Sequence, residues 1–261
     1  MKNIVVLGGG TAGTMAANMA VKERVFDDWT ITVVDRNNDH EYQPGFLFVP
    51  FGMMPAKRIT KSRKKFLPKR ASFVQEDVVA IDRDAQVVVL ESGERLPYDQ
   101  LIIATGTVPR PDLVPGMEDG ALWYDRVFDF YTLKGAEGLQ AKLKDLERGR
   151  LVVNVCEMPI KCPVAPLEFA LLAQDYLRKR GRGFDVDVVF VTPLDGAFTK
   201  PVASEALGHL LAERGIEVVT DFQIESIDND RGELVSYDGR RVPFNLLATV
   251  PPNHGSKVAA D

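Results

Sequence analysis

The chain contains little cysteine and histidine for its length. Two cysteines, Cys156 and Cys162, among 261 residues are too few for a structural disulfide framework. The three histidines, His40, His209 and His254, are scattered and show no metal-ligand spacing with the cysteines. The sequence therefore predicts no metal site, and we expect any role of the cysteines to be chemical rather than architectural.

Long apolar segments and an excess of positive charge are also missing. Proline, glycine or charge interrupts every apolar run before the length of about 20 residues that a membrane-spanning helix requires. A strand predicted at the N-terminus leaves no room for a secretory segment, so we expect a cytoplasmic protein. The net charge of -5 argues against nucleic acid as a partner.

One segment departs from this acidic balance. Residues 57–70 contain eight lysine or arginine residues and no acid. Such a segment can contact anionic lipid headgroups, which predicts peripheral binding at the inner face of the membrane. A solvated helix face or loop is the alternative interpretation of the same segment.

A glycine-rich turn follows the first apolar strand. Gly8, Gly10 and Gly13 have the GxGxxG spacing, and a helical pattern follows them. In this motif the glycines allow a tight turn, close approach of a pyrophosphate and close helix packing, and the helix N-terminus favours phosphate. We therefore assign Thr11 and Ala12 to the same site. A glycine turn that serves packing alone is the alternative.

The second strand ends in an acid, Asp35, which lies 22 residues beyond Gly13. This position completes a βαβ unit in which the acid accepts hydrogen bonds from an adenosine ribose. Its neighbour Arg36 is assigned to the same cofactor site. The motif leaves FAD and NAD equally allowed.

The remaining pattern predicts two domains of α/β class. Three β-rich runs between residues 71 and 106 form a β-meander and a returning strand, and a proline-rich linker follows. A second series of alternating strands and helices begins after the linker. We expect two three-layer, Rossmann-like domains, with boundaries at residues 1–112 and 113–249, and a return towards the first domain over residues 250–261.

The turn that opens the second domain has an unusual composition. Residues 156–163 include Cys156, Cys162 and two prolines, but no glycine. Because prolines lack amide donors and no glycine admits a pyrophosphate, a nicotinamide cofactor should bind poorly there. Cys162 precedes a predicted helix, whose dipole favours a reactive thiolate, as does Lys161, and a buried small residue is the alternative role for this cysteine. Glu168 is a candidate proton carrier, with a surface role as the alternative, and we expect Cys156 to be buried.

The strand that ends in Ala104, Thr105 and Gly106 resembles the second signature of the flavoproteins with two dinucleotide-binding domains. In that family the first glycine turn holds FAD. The resemblance implies that Val78 and Val79 lie beside the adenine and that Pro44 lies near the flavin ring. It also assigns Thr105 and Gly106 to the cofactor site.

The pattern CPxAPxE, from Cys162 to Glu168, resembles that of the sulfide:quinone oxidoreductases and of the flavin subunit of flavocytochrome c sulfide dehydrogenase. The resemblance implies an FAD-dependent enzyme that oxidises sulfide or a related reduced sulfur species, with quinone as the acceptor. Cys162 would carry a persulfide or join a disulfide at the flavin, and Glu168 matches a carboxylate of the family. Cytochrome is the alternative acceptor.

The sequence also departs from this family. Its members place a partner cysteine far along the chain, whereas no cysteine follows Cys162 here. We therefore expect a chain that corresponds to the first two thirds of a longer enzyme and that holds FAD weakly. An NAD(P)H-dependent flavoprotein reductase and a catalytically silent nucleotide-binding module are the alternative functions, and the sequence leaves a homo-oligomer open.

Overall fold

The structure is a computed structural model that describes residues 2–181 and 185–259. The chain divides into two compact units. Unit 1 comprises Met1–Tyr42, Thr60–Val108 and His254–Asp261, and unit 2 comprises Gln43–Ile59 and Pro109–Asn253.

Unit 1 contains the glycine turn, a parallel sheet and an antiparallel sheet. In chain order, its elements and the strand that leaves it are β1 (Lys2–Leu7), α1 (Thr11–Ala20), β2 (Trp29–Asp35), β3 (Asp39–Glu41), β4 (Thr60–Ser62), β5 (Ser72–Gln75), β6 (Val78–Asp82), β7 (Val87–Leu90), β8 (Arg95–Pro97), β9 (Gln100–Ile103) and β10 (Thr107–Pro109).

The parallel sheet of unit 1 has the strand order β5-β2-β1-β9 within the described residues. Leu7 at the end of β1 pairs with Val34 on one side and with Ile103 on the other, so the carboxyl ends of three strands meet at one edge. Helix α1 buries Gly13, Ala17 and further small residues, because these recur at helical spacing on its inner face. Small side chains allow the helix to lie close to the sheet.

The antiparallel strands β6, β7 and β8 form the predicted β-meander. Val88 and Leu90 of β7 alternate with less buried residues and pack into the core of unit 1 with Leu7. This alternation is typical of a sheet with one buried face. Strands β3 and β4 pair separately, with Asp39 opposite Ser62.

Unit 2 contains a second parallel sheet with helices. Its elements, and the strand that leaves it, are β11 (Val127–Asp129), α2 (Leu133–Asp145), β12 (Arg148–Val155), α3 (Ala165–Lys179), β13 (Asp185–Val191), α4 (Pro201–Glu213), β14 (Glu217–Val219), β15 (Ile224–Asp228), β16 (Glu233–Ser236), β17 (Arg241–Pro243), β18 (Leu246–Val250) and β19 (Asn253–Gly255).

The parallel sheet of unit 2 has the order β11-β18-β12-β13-β14 within the described residues. Strand β12 is buried on both faces over its second half, as expected for a central parallel strand. Phe169 of α3 is fully buried and stacks on Phe130 with ring centroids 4.6 Å apart. Thus α3, which follows the cysteine turn, and the segment after β11 share one core.

The predicted α/β class, with two Rossmann-like sheets and a β-meander after the first, is confirmed. The compact units differ from the predicted domain boundaries by four residues at residues 108 and 253, and by a whole segment earlier in the chain. Residues 43–59 fall within the predicted first domain, but they belong to unit 2. The physical reason is burial, since Phe46, Val49 and Ile59 pack against Ala136 of α2.

Candidate functional site

The turn between β1 and α1 requires glycine at two positions for steric reasons. Gly8 has a φ of +91°, and a Cβ atom there would lie 2.4 Å from the carbonyl oxygen of Ala104. A Cβ atom on Gly13 would lie 1.8 Å from the carbonyl oxygen of Gly8. A Cβ atom on Gly10 would meet no atom of the described chain within 4 Å. Gly10 therefore has an open face, which is the approach that a pyrophosphate needs.

The N-terminus of α1 offers amide donors beside this open face. Gly10 is the N-cap residue, and no side chain among the described residues caps the helix. Thr11 and Ala12 in the first turn are exposed. Unpaired amides and the positive end of the helix dipole favour a bound phosphate.

The end of β9 lies against the glycine turn. The amide of Ala104 donates to the carbonyl oxygen of Leu7 at 2.7 Å, which continues the pairing of β1 and β9. Thr105 is half-buried, and Gly106 is exposed with a φ of +65°. The structure thus brings the two sequence signatures together at one sheet edge, in accordance with the rule that open parallel sheets bind ligands there.

Asp35 lies at the same edge, at the end of β2. Its Oδ2 accepts a hydrogen bond from the amide of Gly9 at 2.8 Å and lies 3.2 Å from Nη1 of Arg63. Its neighbour Arg36 is exposed and forms an ion pair with Asp77 at 3.6 Å. Asp35 is therefore joined to the glycine turn, whereas Arg36 lies on the surface beside it.

Val78 and Val79 lie in the antiparallel sheet of unit 1. Val78 is half-buried and pairs with Leu90, and a bulge follows it in β6. Val79 is 56% exposed. The role of these two residues beside an adenine stays a prediction.

Together, these features of unit 1 fit the adenosine and pyrophosphate part of FAD. Gly10 leaves space, α1 offers amides and Asp35 offers a carboxylate oxygen. These residues offer suitable hydrogen-bonding groups and enough space for FAD, and they would suit other dinucleotides equally well.

In unit 2, the turn between β12 and α3 carries Cys162. The residue is exposed and has a φ of +50°, which is uncommon for a side chain other than glycine. Its carbonyl oxygen accepts a hydrogen bond from the amide of Ala165 at 3.0 Å, which leads the chain into α3. The helix starts three residues after the cysteine, with Pro166 in its first turn as helix starts prefer.

Tyr131 fixes this turn from the opposite side. Its hydroxyl donates to the carbonyl oxygen of Lys161 at 2.5 Å and lies 3.3 Å from that of Cys162. The backbone before Tyr131 is held in turn by Asp129, which is buried and accepts from the amides of Tyr131 and Thr132 at 2.8 and 2.6 Å. A chain of hydrogen bonds therefore runs from the end of β11 to the cysteine turn.

Cys162 lies on the wall of a cavity of about 330 Å³ within unit 2. The cavity wall is almost entirely apolar, and its polar groups are few. The lining residues are Gln43, Pro44, Phe46, Leu47, Phe48, Phe130, Tyr131, Lys161, Cys162, Ala165 and Glu168. The cavity is many times larger than a hydrosulfide ion, so it has room for an organic group beside the thiol.

The cavity wall carries one cation and one exposed carboxylate near the thiol. Burial lowers the pKa of Lys161 from its ordinary value, and the charge of Asp129 opposes this shift. The ammonium of Lys161 lies 3.4 Å from Oε1 of Gln43. Burial raises the pKa of Tyr131, and the charge of Cys162 adds to the effect, so its hydroxyl remains a donor at neutral pH. Glu168, on the first turn of α3, is exposed.

Cys156 is placed differently from Cys162. It is 4% exposed, and its Sγ lies 3.3 Å from Oδ1 of Asn154 and 3.4 Å from Oγ1 of Thr249. Burial raises the pKa of Cys156 to about 12. The thiol therefore stays protonated, and the expectation that Cys156 is buried is confirmed.

Comparison with known proteins places the whole of this arrangement in one family. Residues 2–250 match the pyridine nucleotide-disulphide oxidoreductase family. The chain belongs to this family. Pyridine nucleotide-disulphide oxidoreductases have the α/β architecture described above, and the resemblance inferred from the glycine turn and the returning strand is confirmed.

Similar members of the family include sulfide:quinone and NADH:quinone oxidoreductases. The mitochondrial sulfide:quinone oxidoreductase of Dictyostelium discoideum is 28% identical over 253 residues, which are 95% of this chain and 56% of that protein. The type II NADH:quinone oxidoreductase of Staphylococcus aureus is 25% identical over 270 residues and is covered to 63%. The crystal structure of the sulfide:quinone oxidoreductase from Aquifex aeolicus superimposes with a TM-score of 0.83 at 25% identity, over 100% of this chain and 61% of that chain.

The chain thus spans less than two thirds of the length of these relatives. Among the described residues, no helix combines the length and apolar character needed to cross a membrane. Every basic side chain of residues 57–70 is exposed except Arg63, and lipid contact by this segment stays a prediction.

The predicted site residues fall into two groups. The glycine turn, Asp35 and Thr105 with Gly106 meet in unit 1, whereas Pro44, Cys162 and Glu168 line one cavity in unit 2. Sequence reasoning missed Gln43, Phe130 and Tyr131 in the cavity wall. Gln43 is adjacent to Pro44 in the sequence, so the assignment of Pro44 could have been extended to it. The contact of Tyr131 with the cysteine turn depends on tertiary structure and has no signal in the sequence. Phe46 and Leu47 belong to both the core and the cavity wall, because they are buried and also line the cavity.

Proposed function

We propose that the protein is an FAD-dependent oxidoreductase that oxidises sulfide or a related reduced sulfur species at Cys162 and delivers the electrons to a quinone. The observation that carries this proposal is the exposed Cys162 on an apolar cavity, in the turn where a nicotinamide-binding domain would have glycines. The similarity to sulfide:quinone oxidoreductases supports the choice of substrate and acceptor.

In this proposal each group near the cavity has a defined task. Joining a hydrosulfide ion to the Cys162 thiolate forms a sulfur–sulfur bond and releases one proton and two electrons. The positive charge of Lys161 attracts the anionic substrate, and Glu168 on the same wall accepts the proton. Tyr131 holds the turn in the geometry that exposes the thiol. The apolar wall excludes water and leaves room for an organic acceptor.

The glycine turn and Asp35 would hold FAD, which would supply a two-electron acceptor between the thiolate and the quinone. The residues that would contact it are the predicted set, which comprises Gly8, Gly10, Thr11, Ala12, Gly13, Asp35, Arg36, Pro44, Val78, Val79, Thr105 and Gly106.

A second candidate is an NADH-dependent flavoprotein reductase, because the chain is also similar to type II NADH:quinone oxidoreductases. The turn at residues 156–163 argues against it, since it has no glycine to admit a second pyrophosphate and Pro159 and Pro163 donate no amide.

Absorption spectroscopy separates the two candidates. The purified chain, incubated with FAD and freed of unbound flavin, is mixed anaerobically with sulfide or with NADH. We expect sulfide to bleach the flavin band within seconds and NADH to leave it unchanged. Rapid bleaching by NADH without any by sulfide would replace the first candidate with the second.

A further inference from the structure

Arg63 is a buried charged residue that the predicted cofactor site does not include. It is 6% exposed, although the basic residues around it in the segment 57–70 lie in solvent. A buried guanidinium is found where it has partners of opposite charge or several oxygen acceptors. The contacts of Arg63 therefore indicate what its side chain does in unit 1.

The guanidinium of Arg63 binds the end of β2 and the loop that follows it through several hydrogen bonds. Nε donates to the carbonyl oxygen of Asn37 at 3.1 Å, and Nη2 donates to Oδ1 of Asn37 at 3.2 Å and to the carbonyl oxygen of Asp39 at 2.5 Å. Nη1 lies 3.2 Å from Oδ2 of Asp35. One planar side chain thus fixes three successive parts of this loop, which a lysine could not do.

The methylene groups of Arg63 lie across the glycine turn. A Cβ atom on Gly9 would lie 2.5 Å from Cδ of Arg63, so the middle glycine of the run at residues 8–10 is explained by this contact and not by the dinucleotide motif. The amide of Gly9 also donates to the Asp35 oxygen that faces the guanidinium. Arg63 therefore joins the glycine turn and the acid-bearing loop.

These contacts determine how Asp35 is presented. Oδ2 is held by the Gly9 amide at 2.8 Å and by the guanidinium, whereas Oδ1 receives only the amide of Asn37, at 3.3 Å, among the described groups. A carboxylate held through one oxygen leaves the other free to accept hydroxyl groups. The positive charge also offsets that of Asp35, which reduces repulsion of a nearby phosphate.

We propose that Arg63 is a positioning residue of the dinucleotide site, which orients the Asp35 carboxylate so that its Oδ1 accepts the ribose hydroxyls of the adenosine half. This inference depends on the dinucleotide binding that is part of the proposed function, but not on the identity of the reaction. It assigns a specificity role for ribose hydroxyls to a residue of the basic segment.

The test compares ADP with 2′,3′-dideoxy-ADP by isothermal titration calorimetry. For the wild-type chain we expect ADP to bind about 10-fold more tightly, as one or two charge-assisted hydrogen bonds allow. Arg63→Gln should weaken ADP binding about 10-fold and leave the affinity for dideoxy-ADP within about 2-fold, so that discrimination between the two nucleotides falls from about 10-fold to about 2-fold or less. Lys65→Gln, which removes the same charge from an exposed position in the same short helix, is the matched control and should leave both affinities within about 2-fold.

Asp35→Asn provides an independent arm. It should also remove the discrimination between the two nucleotides. The double variant with Arg63→Gln should bind ADP no more than about 2-fold more weakly than the weaker-binding single variant does, because the two residues act as one unit. Arg63→Lys, which keeps the positive charge, is the substitute variant if Arg63→Gln does not fold. We expect it to retain only about 3-fold discrimination between the two nucleotides, since an ammonium cannot replace the forked contacts of a guanidinium.

Equal weakening of both nucleotides by Arg63→Gln, or additive effects in the double variant, would overturn the assignment. If such a variant still shows the flavin spectrum and sulfide bleaching, the proposed function stands while this inference fails. Absence of ADP binding to the wild-type chain would overturn both this assignment and the cofactor part of the proposed function.

Discussion

The hydroxyl of Tyr131 lies 3.3 Å from the carbonyl oxygen of Cys162 and within hydrogen-bonding distance of that of Lys161. The tyrosine thereby couples the wall of the apolar cavity to the backbone of the cysteine turn. Since Cys162 has a positive φ, its conformation depends on such external contacts.

Tyr131→Phe removes this donor while keeping the ring, which packs edge-to-face on Phe130 at 5.2 Å. We expect a loss of about 1 kcal/mol in the free energy of unfolding, the usual value for one hydrogen bond, and a change in the alkylation rate of Cys162 by about 3-fold or more. Urea unfolding and timed reaction with iodoacetamide measure both. Tyr237→Phe, at a position that is 74% exposed, is the control and should change neither. Identical alkylation rates in Tyr131→Phe and wild type would show that the tyrosine does not position the thiol.

Asp129 should be needed as a hydrogen-bond acceptor rather than as a charge. It is 1% exposed, and burial raises its pKa while the hydrogen bond from Thr132 opposes the shift. Asp129→Ala leaves two part-buried amides without their acceptor and should cost about 2–4 kcal/mol, whereas Asp129→Asn keeps a carbonyl oxygen and should cost less than about 1.5 kcal/mol. Equilibrium urea denaturation of both variants measures the difference. Equal losses would mean that the negative charge itself is required.

Cys156 should make stability depend on pH in the alkaline range. The ordinary pKa of a cysteine thiol is 9.0, whereas burial raises the pKa of Cys156 in the folded protein to about 12. The unfolded state therefore binds fewer protons between these values, and the stability contributed by the protonated thiol is present below pH 9 and is lost as the pH rises towards 12.

Cys156→Ala lacks this contribution. We expect the gap in unfolding free energy between the wild type and this variant to narrow by about 1 kcal/mol between pH 8 and pH 10. Guanidinium titrations at both pH values under reducing conditions measure the gap. A gap that does not change with pH would mean that Cys156 ionises as readily in the folded protein as in the unfolded chain.

Local patterns were sufficient to predict much of the fold. The apolar run before Gly8 and the small residues at helical spacing after Gly13 give β1 and α1, and Asp35 ends β2 as expected. These elements were predictable because each has its own periodicity and its own stop signal. The position of Cys162 shortly before α3 followed from the same kind of signal.

Other features depend on contacts between distant segments, which local patterns do not encode. Strand β18 is the last strand of the parallel sheet of unit 2 in chain order, but it lies in the middle of that sheet, between β11 and β12. Arg63 looks like its exposed basic neighbours in the sequence and is buried only because the loop after β2 surrounds it. Tyr131 precedes a helix by two residues and gave no sign of its contact with a turn 30 residues away.

The central claim is that Cys162 is the residue that reacts with sulfide. Anaerobic stopped-flow measurement of flavin reduction by sulfide tests it most directly, with Cys156→Ser as the matched control, because both variants lose one thiol but only Cys162 lines the cavity. We predict that Cys162→Ser keeps its flavin spectrum but that sulfide reduces its flavin at least about 10-fold more slowly than in the wild type, since the nucleophile is gone. The rate of flavin reduction in Cys156→Ser should stay within about 3-fold of the wild-type rate. Reduction of Cys162→Ser at the wild-type rate would contradict the account.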